Sequence, residues 1–368
     1  NGTLEFVVPY LREEIQGNWD DFTGTLVANG IPTTGSESML YLDNGTGIKN
    51  GRLYLKGAIF CLAWKTNPTT YIGGLSGDKG TYLSGSTKNT KNSVTNWIIG
   101  GADTDETFNG VIDNRCGASG YTCTVNIQKI GSGDWRLTGT NIYNGTTKID
   151  GGRIIVNGKN NGTGAVTVND EGTLAGFGTV AAPVTVKAGG TVYAGDTLVN
   201  SGKGLTLSST LKVENGGIVC VPVFRTGVLN KSNKFIFKGA VTLAQGAVLE
   251  LDVTEMTKTP TAGSKFTIFD LSATGASLTG EFASIVPEVP GEGLVWDTSS
   301  LYTDGILYVR KDESETAIET VNGDAARIVT TTYYDLSGKQ VLYPAAPGVY
   351  VVKTRTVDGR ETVTRRMF

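Results

Sequence analysis

Between residues 103 and 115 the sequence places Asp103, Asp105, Glu106, Asp113 and Arg115 in its densest run of titratable side chains. Carboxylates that converge on a glycosidic bond can hydrolyse it, one as acid and the other as base or nucleophile. Carboxylates beside an Arg or Lys base, often around calcium, would suit a polysaccharide lyase. Asp103-x-Asp105 opens like a calcium loop, but Phe108 stands where the turn glycine belongs and Asn114 where the closing glutamate belongs. The plainer reading of the run is a solvated turn. A second candidate is Trp19-Asp20-Asp21-Phe22, an aromatic pair flanking two acids that could stack on a sugar ring. Its plainer reading is a strand whose aromatics are core.

Other chemistries are narrowed by composition. There is no histidine, which removes Ser-His-Asp and Cys-His nucleophile pairs and the commonest metal ligand. Cys61, Cys116, Cys123 and Cys220 form no CxxC pair, so neither a zinc site nor a dithiol redox site is expected. Cys116 and Cys123 flank a short excursion and are read either as a disulfide or as two thiols. No metal and no cofactor are expected. With 32 basic and 35 acidic residues, no surface for nucleic acid is expected. No apolar run approaches the ~20 residues of a transmembrane segment. No basic-then-apolar signal pattern follows Asn1, so the sequence reads as a mature or trimmed product.

The elements that must carry these residues are strands. Glycine occurs 51 times and proline 10 times, a bias toward tight turns. Short Val/Ile/Leu/Thr runs recur between them, at residues 153–157, 165–168, 184–187, 191–193, 205–207, 211–213, 241–243 and 248–252. A Gly-Gly pair precedes an apolar run at Gly151-Gly152, Gly189-Gly190 and Gly216-Gly217. Recurrence at roughly 20 to 30 residues fits one coil of a solenoid. The expected fold is all-β, a right-handed single-stranded parallel β-helix over residues 1–311. Residues 312–326 read as an acidic linker. Residues 327–368 read as a small antiparallel, β-sandwich-like domain with a hairpin at Asp358-Gly359.

Residues 107–158 closely resemble the autotransporter-associated β-strand repeat, also called the passenger-associated transport repeat. The match runs through Lys129, Gly131, Gly133, Leu137, Gly139, Asn141, Tyr143, Gly145, Thr147, Gly151, Gly152 and Val156, with further coils over 159–311. The tail, Tyr334-Asp-Leu-Ser-Gly-Lys-Gln-Val341 and Pro347-Gly-Val-Tyr-Val-Val-Lys353, resembles C-terminal sorting domains of the type IX secretion system of Bacteroidetes. These resemblances imply a β-helical passenger, secreted or on the outer-membrane surface of a Gram-negative bacterium, engaging secretion machinery through its tail.

The expected function is therefore a non-catalytic structural stalk that aids export and display, acting as a monomer. The alternatives are the β-helical part of a polysaccharide lyase or glycosidase, and an adhesin for surface or host polysaccharide or protein. Trp19, Asp20, Asp21, Asp103, Asp105 and Asp113 are the candidate binding residues, and no catalytic residue is assigned.

Overall fold

In the computed structural model, the described residues are 2–10, 13–34, 36–43, 47–64, 68–86, 93–116, 121, 123–196, 202–226, 229–312, 328–341, 344, 348–357 and 359–368. Among them the regular elements are all strands. The chain divides into two compact units, Asn1–Lys311 and Asp312–Phe368. Residues 313–326 of the expected linker, and Asp358 of the expected hairpin turn, lie outside the described residues.

The first unit is a parallel β-helix with three faces. One face runs from Val94–Ile99 through Thr124–Lys129, Thr147–Ile149, Val166–Val168, Val184–Val186, Leu211–Val213 and Ala240–Leu243 to Ser277–Thr279. A second begins at Thr3–Val8 and Thr25–Gly30, then uses the later parts of Gly47–Gly57 and Thr69–Gly77. It continues through Glu106–Phe108, Asp134–Leu137, Gly152–Val156, Gly172–Gly176, Thr191–Ala194, Ile218–Thr226 and Val248–Asp252 to Ser284–Val286. The third is made of shorter strands, from Glu13–Ile15, Ser38–Leu42, Ile59–Ala63, Tyr82–Ser86 and Val111–Ile112 to a second ladder over Thr140–Asn141 through Phe269–Asp270.

Between Gly151 and Leu251 the strand pairings among the described residues are parallel, apart from a hairpin in which Val223–Thr226 turn back against Leu229–Ser232 and an isolated antiparallel bridge of Gly176 with Gly195. The alternation of the short runs explains this. In Val-Thr-Val at 166–168 and 184–186 the two valines point inward and the threonine outward, as a strand's two-residue period requires. Stacking then aligns like with like. Ile149 lies beside Val168, Val168 beside Val186, and Val186 beside Val213. All four are buried, and the columns merge into one continuous core. Near its end the unit adds an antiparallel sheet of Lys265–Thr267, Ile306–Lys311 and Leu294–Asp297, which contributes Phe266, Leu307 and Val309 to that core.

The second unit is a four-stranded antiparallel sheet of Gln340–Val341, Ile328–Tyr334, Val349–Thr356 and Glu361–Met367. Its described strands form one layer. Val352 is buried, and Phe368 meets Tyr333 and Tyr350 edge-on at centroid distances of 5.8 and 5.9 Å.

Candidate functional site

The first acid run is divided by the chain's passage around a corner. Asp103 holds a positive φ of 54° and its Oδ1 accepts from the Ser132 amide at 2.7 Å and from Ser132 Oγ at 3.2 Å. Asp105 Oδ1 accepts from the amide of Asp134 at 2.8 Å. Both acids therefore fasten their own coil to the next one. Asp113 and Arg115 instead belong to the third face. Asp113 is buried and accepts from the Arg115 amide at 3.2 Å, and burial pushes its carboxyl above the usual range. The Arg115 guanidinium covers the Phe60 ring at 4.2 Å and pairs with Glu37.

Glu106, only 7% exposed, is the acid that enters a groove. It accepts from Arg52 Nε at 3.1 Å, from Thr104 Oγ1 at 2.9 Å and from Ser76 Oγ. The groove crosses the outer side of the second face and has a volume of about 570 Å³. Its floor consists of outward side chains whose alternate neighbours, Leu26, Leu53, Leu55 and Leu75, are core. Thr25 lies beside Arg52, Val27 beside Tyr54, and Tyr54 beside Ser76. Gly74 is beside Arg52 and leaves the space that Glu106 occupies: a Cβ there would stand 2.8 Å from both Glu106 Oε1 and Thr104 Oγ1. Tyr54 donates its hydroxyl to Asp78 Oδ1 at 2.6 Å, which raises the phenol's pKa.

The Trp19 segment lies in the turn before Thr25–Gly30. Trp19 and Phe22 meet edge-on with centroids 5.3 Å apart and pack against the core, and Trp19 Nε1 donates to the Gln16 carbonyl at 2.8 Å. Asp20 pairs with Lys49 at 3.0 Å. Asp21 lines a separate depression with Thr3 and Phe22. The six candidate binding residues thus fall in several places, and only Asp105 lines the groove of Glu106. Trp135 is buried in the core and donates from Nε1 to the Leu75 carbonyl at 2.9 Å.

The residues that carry the repeat resemblance act in turns and at a buried corner. Gly131, Gly133, Gly139, Gly145 and Gly151 all face backbone of another coil. Gly152 shows why the residue type is needed: its φ is +57°, and a Cβ would lie 2.6 Å from the carbonyl oxygens of Gly131 and Gly133. Asn141 is buried beside Asn160, and its Oδ1 accepts from the Ile112 amide at 2.9 Å. Asn160 Nδ2 donates to the Tyr143 hydroxyl at 3.0 Å, which bonds Thr147 Oγ1 at 2.7 Å. Burial raises the Tyr143 pKa.

Two polar arrangements anchored in residues 107–158 carry no local signature in the sequence. Asp134, 4% exposed, accepts from Arg136 at 3.0 Å and from Arg153 Nε at 2.6 Å. Arg136 also reaches Asp196 at 3.2 Å, and Asn157 Nδ2 donates to Asp196 at 2.8 Å. The second is Lys129, 1% exposed, in an inward column between Ile99 and Ile149. Its Nζ donates to the carbonyls of Ile130 and Gly131 at 2.7 and 2.9 Å. Burial lowers its pKa to about 8, against the opposing pull of Asp103, Asp134 and Asp105.

The sulfurs of Cys116 and Cys123 are bonded, with their Cα atoms 5.6 Å apart, while Cys61 and Cys220 are buried thiols. Among the described residues no three or more Cys, Asp or Glu side chains gather in an arrangement that could hold a metal ion. No helix of the described residues is long and apolar enough to cross a membrane.

Fold and site together define a parallel β-helix protein with polar fasteners between its coils and an open groove on one face. No protein-family model matches the chain, and no curated protein matches it in sequence.

Proposed function

We propose that the chain is a non-catalytic extracellular stalk, a β-helical passenger displayed at the surface of a Gram-negative bacterium and exported with the help of its C-terminal unit. The observation that carries this reading is the use made of the acids. Asp103 and Asp105 hold backbone amides of the following coil, and Asp134 binds two arginines. Such acids stiffen a rod and are poorly placed to exchange protons with a substrate. The Cys116–Cys123 bond supports an oxidising compartment. The repeat and sorting-tail resemblances support export.

Two measurements test it. The full chain is incubated with plant and host polysaccharides, and reducing ends and unsaturated products are assayed. No product is expected, and sustained turnover would end the non-catalytic reading. In the native host, a chain stopped after Lys311 is expected to accumulate inside the cell. Its undiminished appearance at the surface would remove the export role of the tail.

A further inference from the structure

We propose that the groove formed by Thr25, Arg52, Tyr54, Ser76, Glu106 and Asn109 binds a segment of a neutral polysaccharide. This goes beyond the stalk reading and does not depend on it.

The charges in the groove select against a polyanion. Arg52 is already paired with the buried Glu106, and Asp105 on the rim adds a further negative charge. A uronate or phosphate polymer would meet an uncompensated carboxylate. The backbone selects against a peptide adding itself as a strand. Thr25–Gly30 is paired on both sides, by Thr3–Val8 and Gly47–Gly57, and Gly47–Gly57 is in turn paired with Thr69–Gly77. The central floor strands Thr25–Gly30 and Gly47–Gly57 therefore offer no open row of N–H and C=O groups for strand addition.

What it does offer is hydroxyl-binding chemistry on a fixed pitch. Thr25 and Arg52 are cross-strand neighbours, as are Tyr54 and Ser76, so each of two rows sets a pair of polar residues one strand spacing, about 4.8 Å, apart. Ser76 Oγ is engaged by Glu106 and the Thr107 amide, which leaves Thr25 and Arg52 as the pair facing a ligand. Arg52 is 46% exposed, and its Nε is held at 3.1 Å by Glu106. That contact restrains the guanidinium of a groove-lining, half-exposed residue, and the N–H groups that a guanidinium carries beyond Nε are suited to donating to vicinal hydroxyls. The hydroxyl of Tyr54, tied to Asp78 at 2.6 Å, fixes the half-buried ring beside Val27. A ring ordered before binding presents apolar surface to a sugar without further loss of side-chain entropy. The groove is open, which suits a passing polymer chain.

The test is isothermal titration calorimetry of the full chain with glucose, mannose and N-acetylglucosamine hexamers, and with polygalacturonate. At least one neutral hexamer is expected to bind. Its affinity should fall about tenfold in Tyr54→Ala and measurably in Thr25→Val, which keeps the side-chain shape and strand preference while removing the hydroxyl. Circular dichroism establishes that each variant retains its strands. Absence of heat from every neutral hexamer at millimolar concentration would overturn the proposal. So would equal binding by folded Thr25→Val and Tyr54→Ala, or preferential binding of polygalacturonate. None of these results touches the stalk reading, which is decided by turnover and export.

Discussion

The Nζ of Lys129 donates a hydrogen bond to the carbonyl oxygen of Gly151, one coil further along, at 3.3 Å. With the Ile130 and Gly131 carbonyls, this gives the buried ammonium three acceptors inside a column that is otherwise aliphatic at Ile99 and Ile149. The folded pKa, about 8, lies below the usual 10.5. Between those values the unfolded chain binds more protons, so stability rises with pH. The contribution is complete above the unfolded pKa and lost as pH falls through the folded one. The unfolding free energy read from denaturant titrations should therefore climb between pH 7 and pH 10, by on the order of 3 kcal/mol from this group. Lys129→Met should flatten the climb, and an unchanged slope would refute the assignment.

Asp134 joins Arg136 of its own strand to Arg153 of the next coil. Asp134→Ala leaves both guanidinium groups short of an acceptor, and Arg136 is nearly buried. A loss of about 3 kcal/mol is expected, read as a drop in melting temperature. Asp134→Asn should lose less. Equal stability of Asp134→Ala and the native chain would show that Asp196 alone satisfies Arg136.

Gly74→Ala would place a methyl 2.8 Å from Glu106 Oε1. The carboxylate must move, and Arg52 with it, at a cost of about 1 to 3 kcal/mol. Hydrogen exchange at residues 104–108 should speed up in the variant. Unchanged exchange there would mean that the strand Thr69–Gly77 shifts instead.

Cys116 and Cys123 close a loop with a sequence separation of 7. Reduction, or Cys116→Ser with Cys123→Ser, should lower stability by roughly 2 to 3 kcal/mol if chain entropy dominates. Thermal melts with and without dithiothreitol check this. No difference in the native chain would mean that the thiols are unpaired in solution.

Much of the fold can be read from local pattern. Val-Thr-Val at 166–168 and 184–186 writes inward and outward positions directly, and the Gly-Gly pairs mark where coils turn. The third face is harder to read, because strands such as Thr140–Asn141 and Lys159–Asn160 are two residues long and carry buried amides in place of aliphatics. The polar sites depend on distance along the chain. Arg136 and Asp196 are 60 residues apart, and Glu106 meets Ser76 across 30, so no local window contains either pair. Lys129 can be read from the sequence as part of a resemblance but not as a core residue, since its ammonium is accommodated by carbonyls that the folded turns bring together. Conversely, Asp103 and Asp113 looked like one cluster because sequence proximity conceals the corner between the second and third faces.

The matching of Val166 with Val184, of Leu174 with Val192, and of Asn160 with Val180 means that a whole turn is interchangeable with its neighbour. Excising residues 166 to 183 would bring Val184 to the place of Val166 without reversing any side chain, and duplicating them would lengthen the molecule in the same phase. Length in this architecture can thus be adjusted in quanta of one turn, whereas loss of a single residue inside a rung would turn the following aliphatics outward.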